Sequence, residues 1–172
     1  SMATYLWTGT SSADWKTGGN WSGGVVPGAS DTVIFNTGAQ TVTGTSITGV
    51  AKIKVLEGFT GSLGTSSTPL AASGTDLFVS TEFGKVNLNG TYTTAHISKT
   101  KASTDAIVFG SSSVITTLRV TGGKGTIQVS SSTITNVELT GSPFTEIQIL
   151  AAAGNFASIL MDSGTLRSSE SL

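Results

Sequence analysis

Two segments decide the fold of this chain: I-T-T-L-R-V at residues 115–120 and I-T-N-V-E-L at residues 134–139. The second repeats the side-chain pattern of the first, so that Leu118 corresponds to Val137. Short apolar segments that recur about every 20 residues are typical of solenoids, in which each repeat stacks on the one before it. The two segments are therefore predicted to be neighbouring parallel strands.

Arg119 and Glu138 occupy the same place in these two segments. Strand alternation puts both side chains on the outer face, where their opposite charges would lie one above the other. A pair of this kind at the surface is worth well under about 1 kcal/mol.

The same spacing extends outward from residues 115–139 as three interleaved series of apolar positions. The first series contains the apolar doublet His96/Ile97 and the predicted inward ladder Leu118, Val137 and Ile159. The second contains the ladder Ile127, Ile147 and Leu166, and the third consists of Leu70, Tyr92, Val114/Ile115, Ile134 and Phe156. Three short strands per repeat, separated by corners rich in Gly, Ser and Thr, predict an all-β fold. We expect a right-handed, single-stranded parallel β-helix of about six short coils, because parallel crossovers are right-handed.

The composition agrees with strands and excludes several function classes. The 172 residues include 25 serines, 29 threonines and 22 glycines, which disfavour helices. The formal net charge is −1, so we expect no nucleic-acid partner, because binding to a phosphate backbone needs a basic face. No apolar run approaches the roughly 20 residues of a membrane span, so no membrane partner is expected.

The N-terminal segment is predicted to cap the coil. Residues 3–46 contain all three tryptophans and the first strand-like runs, whereas residues 47–172 contain the coils. A solenoid must cover its first rung, and large aromatic side chains provide buried area for few residues. The predicted structural cap consists of Trp7, Trp15, Trp21 and Phe35. An alternative is that Tyr5 and the three tryptophans form an exposed platform that stacks on sugars.

No catalytic, cofactor-binding or metal-binding residues are predicted. His96 is the only histidine and there is no cysteine, so a multi-histidine or thiolate metal site is not expected. We expect His96 to lie on a strand with its ring partly exposed. Asp76, Glu82 and Asp105 are the carboxylates to consider for polysaccharide cleavage, but they form no D-x-D or D-D cluster. The sequence therefore favours a protein that is not an enzyme.

The two ends of the chain carry further expectations. Ser1-Met2 has the form of a tag-cleavage scar before a start at Met2, and no signal peptide follows, so we expect synthesis in a host cytoplasm. The coil that follows Phe156 has no obvious cap. Either the protein continues beyond residue 172 or neighbouring chains cover this end. An uncapped strand edge favours pairing with another chain, so we expect association of the coil edges from Ser111 to Leu172.

The N-terminal stretch resembles the tryptophan-rich opening of autotransporter-type β-helix passengers and of some phage β-helix proteins. The shared elements, over about a fifth of the chain, are Trp7-Thr8-Gly9, Asp14-Trp15, Asn20-Trp21, Pro27 and D-T-V-I-F at residues 31–35. The resemblance implies the start of a β-helix. Without a signal peptide, it favours a small bacteriophage virion protein, in capsid decoration or in a fibre or tail. It also implies a homotrimer that contacts a capsid or other virion protein. The alternatives are an adhesin module that binds a surface glycan and, less favoured, a polysaccharide-degrading enzyme.

Overall fold

The computed structural model describes residues 2–47, 49–130, 133–149 and 156–168. Over these residues the chain is all-β, and its parallel strands stack as a β-solenoid of about six turns, which confirms the predicted fold class. The only helical element in the described residues is a 3-10 turn at Gly18–Asn20, and no helix there is long and apolar enough to cross a membrane. Ser1, part of the expected tag scar, lies outside the described residues.

Most strands belong to two parallel sheets that face each other across the core. The front sheet contains β1 (Thr4–Leu6), β2 (Thr32–Phe35), β4 (Val50–Leu56), β7 (Gly74–Ser80), β9 (Thr91–Lys99), β11 (Val114–Val120), β13 (Thr133–Leu139) and β15 (Ser158–Met161), in that order. The back sheet contains β3 (Thr41–Val42), β5 (Ser62–Leu63), β8 (Lys85–Asn89), β10 (Ile107–Phe109), β12 (Thr126–Val129), β14 (Glu146–Ile149) and β16 (Thr165–Ser168). The short strand β6 (Leu70–Ala71) pairs with β8. Stacked strands are about 4.8 Å apart, so each turn adds one rung.

The third apolar series forms a short third side of each turn. Ile115 and Ile134 lie on the same strands as the first series, and both are buried. The pairing of β11 with β13 omits Thr116, and the inward residues Ile115 and Leu118 are three positions apart instead of two. The strand therefore bends at Thr116, and the bend replaces a separate third strand.

Leu70 does not belong to that third series. It pairs with Leu88 in the back sheet, after a loop that departs from the coil at residues 64–69. The inserted loop shifts the spacing of this turn, so a series counted along the sequence places Leu70 on the wrong side.

Two corner glycines are required by the close stacking of the turns. A Cβ atom at Gly61 would overlap the backbone carbonyl oxygen of Gln40 in the preceding turn, and one at Gly90 would overlap that of Ala72. Because these neighbours are backbone atoms, they cannot move aside as a flexible side chain would. Glycine at these corners lets the turns approach to the distance that strand pairing needs.

Candidate functional site

The predicted cap residues form one buried aromatic cluster at the N-terminal end of the coil. Trp7, Trp15 and Trp21 are 1%, 1% and 2% exposed, and Phe35 is fully buried. The ring centroids of Trp7 and Trp21 lie 5.6 and 5.5 Å from that of Phe35. The ring centroid of Phe59, in the next turn, lies 5.7 Å from that of Phe35. The cluster therefore joins the N-terminal segment directly to the core of the coil.

The burial of the indoles removes the exposed sugar-stacking platform that the sequence left open. Their polar atoms also point into the protein: Trp15 Nε1 donates to the carbonyl oxygen of Thr45 at 2.8 Å, and Trp21 Nε1 donates to that of Trp15 at 2.7 Å. Trp7 Nε1 is buried with no hydrogen-bond partner among the described residues. A sugar ring has no access to faces that pack in this way.

Asn20 holds the N-terminal segment in place. Its side chain is fully buried and accepts hydrogen bonds from the backbone amides of Ser11 and Ser12, both at 2.8 Å. Its amide nitrogen donates to Ser12 Oγ at 2.9 Å and to the carbonyl oxygen of Asp14 at 2.7 Å. Four bonds from one buried side chain fix a loop that lacks regular strand pairing. The only sequence signal for this role was the motif Asn20-Trp21.

The predicted ladders lie in register across the turns. Leu118 pairs with Val137, which pairs with Ile159 in the front sheet. In the back sheet, Ile127 pairs with Ile147, and Ile147 pairs with Leu166. Leu118, Val137, Ile127 and Ile147 are fully buried, whereas Leu166 is half-buried and Ile159 is 45% exposed.

The exposure of Ile159 marks an open rung at the C-terminal end. All four residues of β15 are exposed, and Leu160 and Met161 reach 59% and 42%. Val137, one turn below Ile159, is fully buried. No strand among the described residues pairs with the outer edge of β15. This end therefore presents apolar side chains together with backbone groups that are ready to pair with another strand.

The N-terminal end of the coil differs from the C-terminal end, because its edge strand is covered by the chain itself. At the N-terminal end, the amide of Ser22 donates to the carbonyl oxygen of Leu6 at 2.9 Å, and the amide of Leu6 donates to Ser22 Oγ at 2.9 Å. The edge of β1 is thus occupied by the chain itself. The outer edge of β15 has no such cover among the described residues.

Ion pairs between turns lie on the surface. Arg119 Nε donates to Glu138 Oε2 at 2.7 Å, as the matching places in the two segments predict. Arg167 Nε donates to Glu146 Oε1 at 2.7 Å, and this bond, together with one from Gln148, lowers the pKa of Glu146. All these side chains are partly exposed, so each pair is worth at most about 1 kcal/mol.

His96 lies on the outer face of the front sheet. Its Nε2 is 2.9 Å from Thr121 Oγ1, and its ring packs edge-to-face on Phe78 with centroids 5.3 Å apart. Among the described residues, the hydrogen-bond partner of His96 is thus a hydroxyl group and not the carboxylate that a catalytic triad uses. No group of three or more His, Cys, Asp or Glu side chains in the described part of the chain has metal-binding geometry.

The pKa of His96 is lowered from its ordinary value of 6.5, first by partial burial and then by the charge of Arg119. The unfolded chain therefore binds this proton more readily, and the contribution of His96 to stability decreases as the pH falls through about 6.5. In an NMR titration, the single histidine should have a pKa below 6.5, and Arg119→Gln should raise it. Lys16→Gln, in the N-terminal segment, is the control and should leave it unchanged. A His96 pKa of 6.5 or above in the unmodified protein would contradict this expectation.

The structure also brings together residues that the sequence did not connect. Lys54, Phe78, His96 and Arg119 occupy successive outward positions of the front sheet, each paired in register with the next. With Lys52, they line a shallow groove of about 360 Å³. The periodic outward positions are the sequence signal for this groove, but only Arg119 and Glu138 were predicted as outward neighbours.

Over the described residues, the fold is a parallel β-solenoid with a self-covered aromatic N-terminal end and, at β15, an exposed edge strand. No protein-family model, curated protein or solved structure matches the chain.

Proposed function

We propose that this protein is a structural assembly component that associates with copies of itself through its open C-terminal rung. The observation that carries this proposal is the exposure of β15, whose side chains continue a ladder that is fully buried one turn earlier. An exposed apolar edge strand is a ready template for pairing with another chain. Covering it removes apolar surface from water and satisfies backbone donors and acceptors.

The asymmetry of the two ends favours a closed assembly. A head-to-tail filament needs complementary edges at both ends, but at the N-terminal edge Leu6 is already hydrogen-bonded to Ser22. Packing of the exposed apolar side chains of three C-terminal rungs around a shared axis covers them and leaves none for further growth. We propose a homotrimer, in keeping with the phage β-helix proteins that the N-terminal segment resembles, with an interface of at least about 1,000 Å².

The resemblance also gives the biological setting that we propose. A small β-solenoid whose chemistry lies in its contacts suits a bacteriophage virion protein, in capsid decoration or in a fibre or tail. In that setting the trimer would contact a capsid or other virion protein. An incubation with purified virions, followed by sedimentation, tests this setting separately from self-association.

The assembly is tested by measuring the mass in solution at micromolar concentration. We expect the unmodified chain to have three times the 17.4 kDa mass of the monomer. Ile159→Lys should give a folded monomer, because lysine at an open rung can extend its ammonium group into solvent while blocking edge pairing. Val25→Lys places the same charge at a site of similar exposure, 52%, in the N-terminal segment and should remain trimeric.

Two results would contradict the proposal. The first is an unmodified chain of 17.4 kDa across the micromolar range. The second is an Ile159→Lys variant with the mass of the unmodified protein. Circular dichroism of each variant separates loss of association from loss of folding.

A further inference from the structure

We infer that the groove on the outer face of the front sheet, lined by Lys52, Lys54, Phe78, His96 and Arg119, binds an acidic oligosaccharide. This face is distinct from the open rung, so the inference does not depend on the proposed assembly. It replaces the tryptophan platform, which burial excludes, with a different set of residues.

The first support is the linear arrangement of the groove. Lys54, Phe78, His96 and Arg119 lie on four successive turns, so the column spans about 14 Å at a spacing of about 4.8 Å per rung. The volume of about 360 Å³ lies within the range of small-ligand sites. A short chain of sugar rings laid along the column would meet one side chain after another.

The second support is a fixed aromatic pair at the centre of the column. The rings of Phe78 and His96 are inclined at 68° with centroids 5.3 Å apart, and Thr121 Oγ1 holds His96 Nε2 at 2.9 Å. Phe78 is half-buried, so part of its ring faces solvent. The apolar face of a sugar ring stacks on such a surface, and an aromatic group that is already held in place loses little entropy on binding.

The third support is charge. Lys52 and Lys54 make no ion pair within the described residues, and Arg119 shares its charge with Glu138 alone. Three cations therefore line the groove against one carboxylate, that of Asp76, on a chain whose net charge is −1. Unpaired ammonium groups beside an aromatic ring favour a ligand that combines carboxylate groups with apolar ring faces.

Asp76 favours a sugar over a nucleic acid. It lies in register between Lys52 and Thr94, and it lines the groove beside Phe78. A carboxylate accepts hydrogen bonds from sugar hydroxyls. An acidic sugar ring offers this carboxylate hydroxyl groups as well as its own carboxylate, whereas the backbone of single-stranded DNA offers only phosphate and ether oxygens.

The test is calorimetric titration of the full chain with a trisaccharide of galacturonic acid, alongside NMR of the single histidine. We expect saturable binding that shifts the His96 resonance. Phe78→Ala and Lys54→Gln should each weaken binding about tenfold, through loss of stacking and of a charge-assisted bond respectively. Glu138→Gln should strengthen it about twofold to fivefold, because it releases Arg119 from its ion pair.

Controls separate this site from general charge effects. Lys16→Gln removes an exposed cation in the N-terminal segment and should leave binding unchanged. The neutral trisaccharide of galactose should bind at least about tenfold more weakly.

The inference is overturned by no binding at millimolar trisaccharide, by affinities that Phe78→Ala and Lys54→Gln leave unchanged, or by tighter binding of a single-stranded oligothymidylate. Ile159→Lys should bind as the unmodified chain does, whatever its mass.

Discussion

Phe35→Ala is expected to lower the free energy of unfolding by about 3–5 kcal/mol, the usual cost of removing a fully buried phenylalanine. Phe35 is the residue through which Trp7 and Trp21 contact Phe59 of the next turn. Its loss leaves a cavity between the N-terminal segment and the coil. Domains of this size are stable by about 5–15 kcal/mol, so the variant should melt far below the unmodified protein. Thermal and denaturant unfolding followed by circular dichroism measure the change.

Phe144→Ala is the matched control, because Phe144 is 71% exposed and its removal opens no cavity. We expect it to change stability by no more than about 0.5 kcal/mol. Equal melting of Phe35→Ala and the unmodified protein would mean that the N-terminal segment does not support the coil. Hydrogen exchange would show where the damage lies, since protection should be lost first in β2 and β4.

Leu118→Ala is expected to cost about 2–5 kcal/mol. Leu118 is fully buried and pairs with Ala95 in the turn below and with Val137 in the turn above. Because Ala95 is already small, the variant would place two alanines on successive rungs. Backbone pairing on both sides keeps the turns at a fixed spacing, so the cavity cannot collapse and the cost should lie towards the upper end of the range.

Leu160→Ala removes the same side chain from the front sheet at a position that is 59% exposed. In the Ile159→Lys background, which should be monomeric, this change should cost less than about 0.5 kcal/mol. The use of that background excludes any loss of stability from a weakened trimer. A Leu118→Ala variant that unfolds at the same denaturant concentration as the unmodified protein would show that the ladder does not pack as the register indicates.

The ladder of the front sheet shows which inward positions the sequence predicts correctly and which it does not. Leu118, Val137 and Ile159 were identified from spacing alone, because strand alternation and the turn length both act locally. One turn earlier the same reasoning took His96 and Ile97 as the apolar pair, whereas the inward residues are Ala95 and Ile97. Alanine carries a weak apolar signal, and His96 points outward to Phe78.

The structure of the N-terminal segment was predicted only in part, for a different reason. Three tryptophans beside the first rung indicate either a buried cap or an exposed platform, and composition alone does not separate the two. The structure separates them through Asn20, whose four hydrogen bonds close the loop so that the indoles pack inward. A buried asparagine and an exposed one have the same appearance in a sequence.

The sequence by itself determined the strand class, the stacking of turns of about 20 residues and most of the inward positions, because each follows from alternation and spacing along the chain. Apart from the pair Arg119 and Glu138, only the tertiary structure decided which outward residues become neighbours. The turns differ in length, the loop at residues 64–69 shifts one of them, and the register between β7 and β9 shifts at Val79 and Ser80. Which residues of neighbouring strands lie side by side therefore depends on all these local differences in turn length and register. The column of Lys54, Phe78, His96 and Arg119 is therefore a property of the folded register, since hydrogen bonds between turns align residues that are distant in the chain.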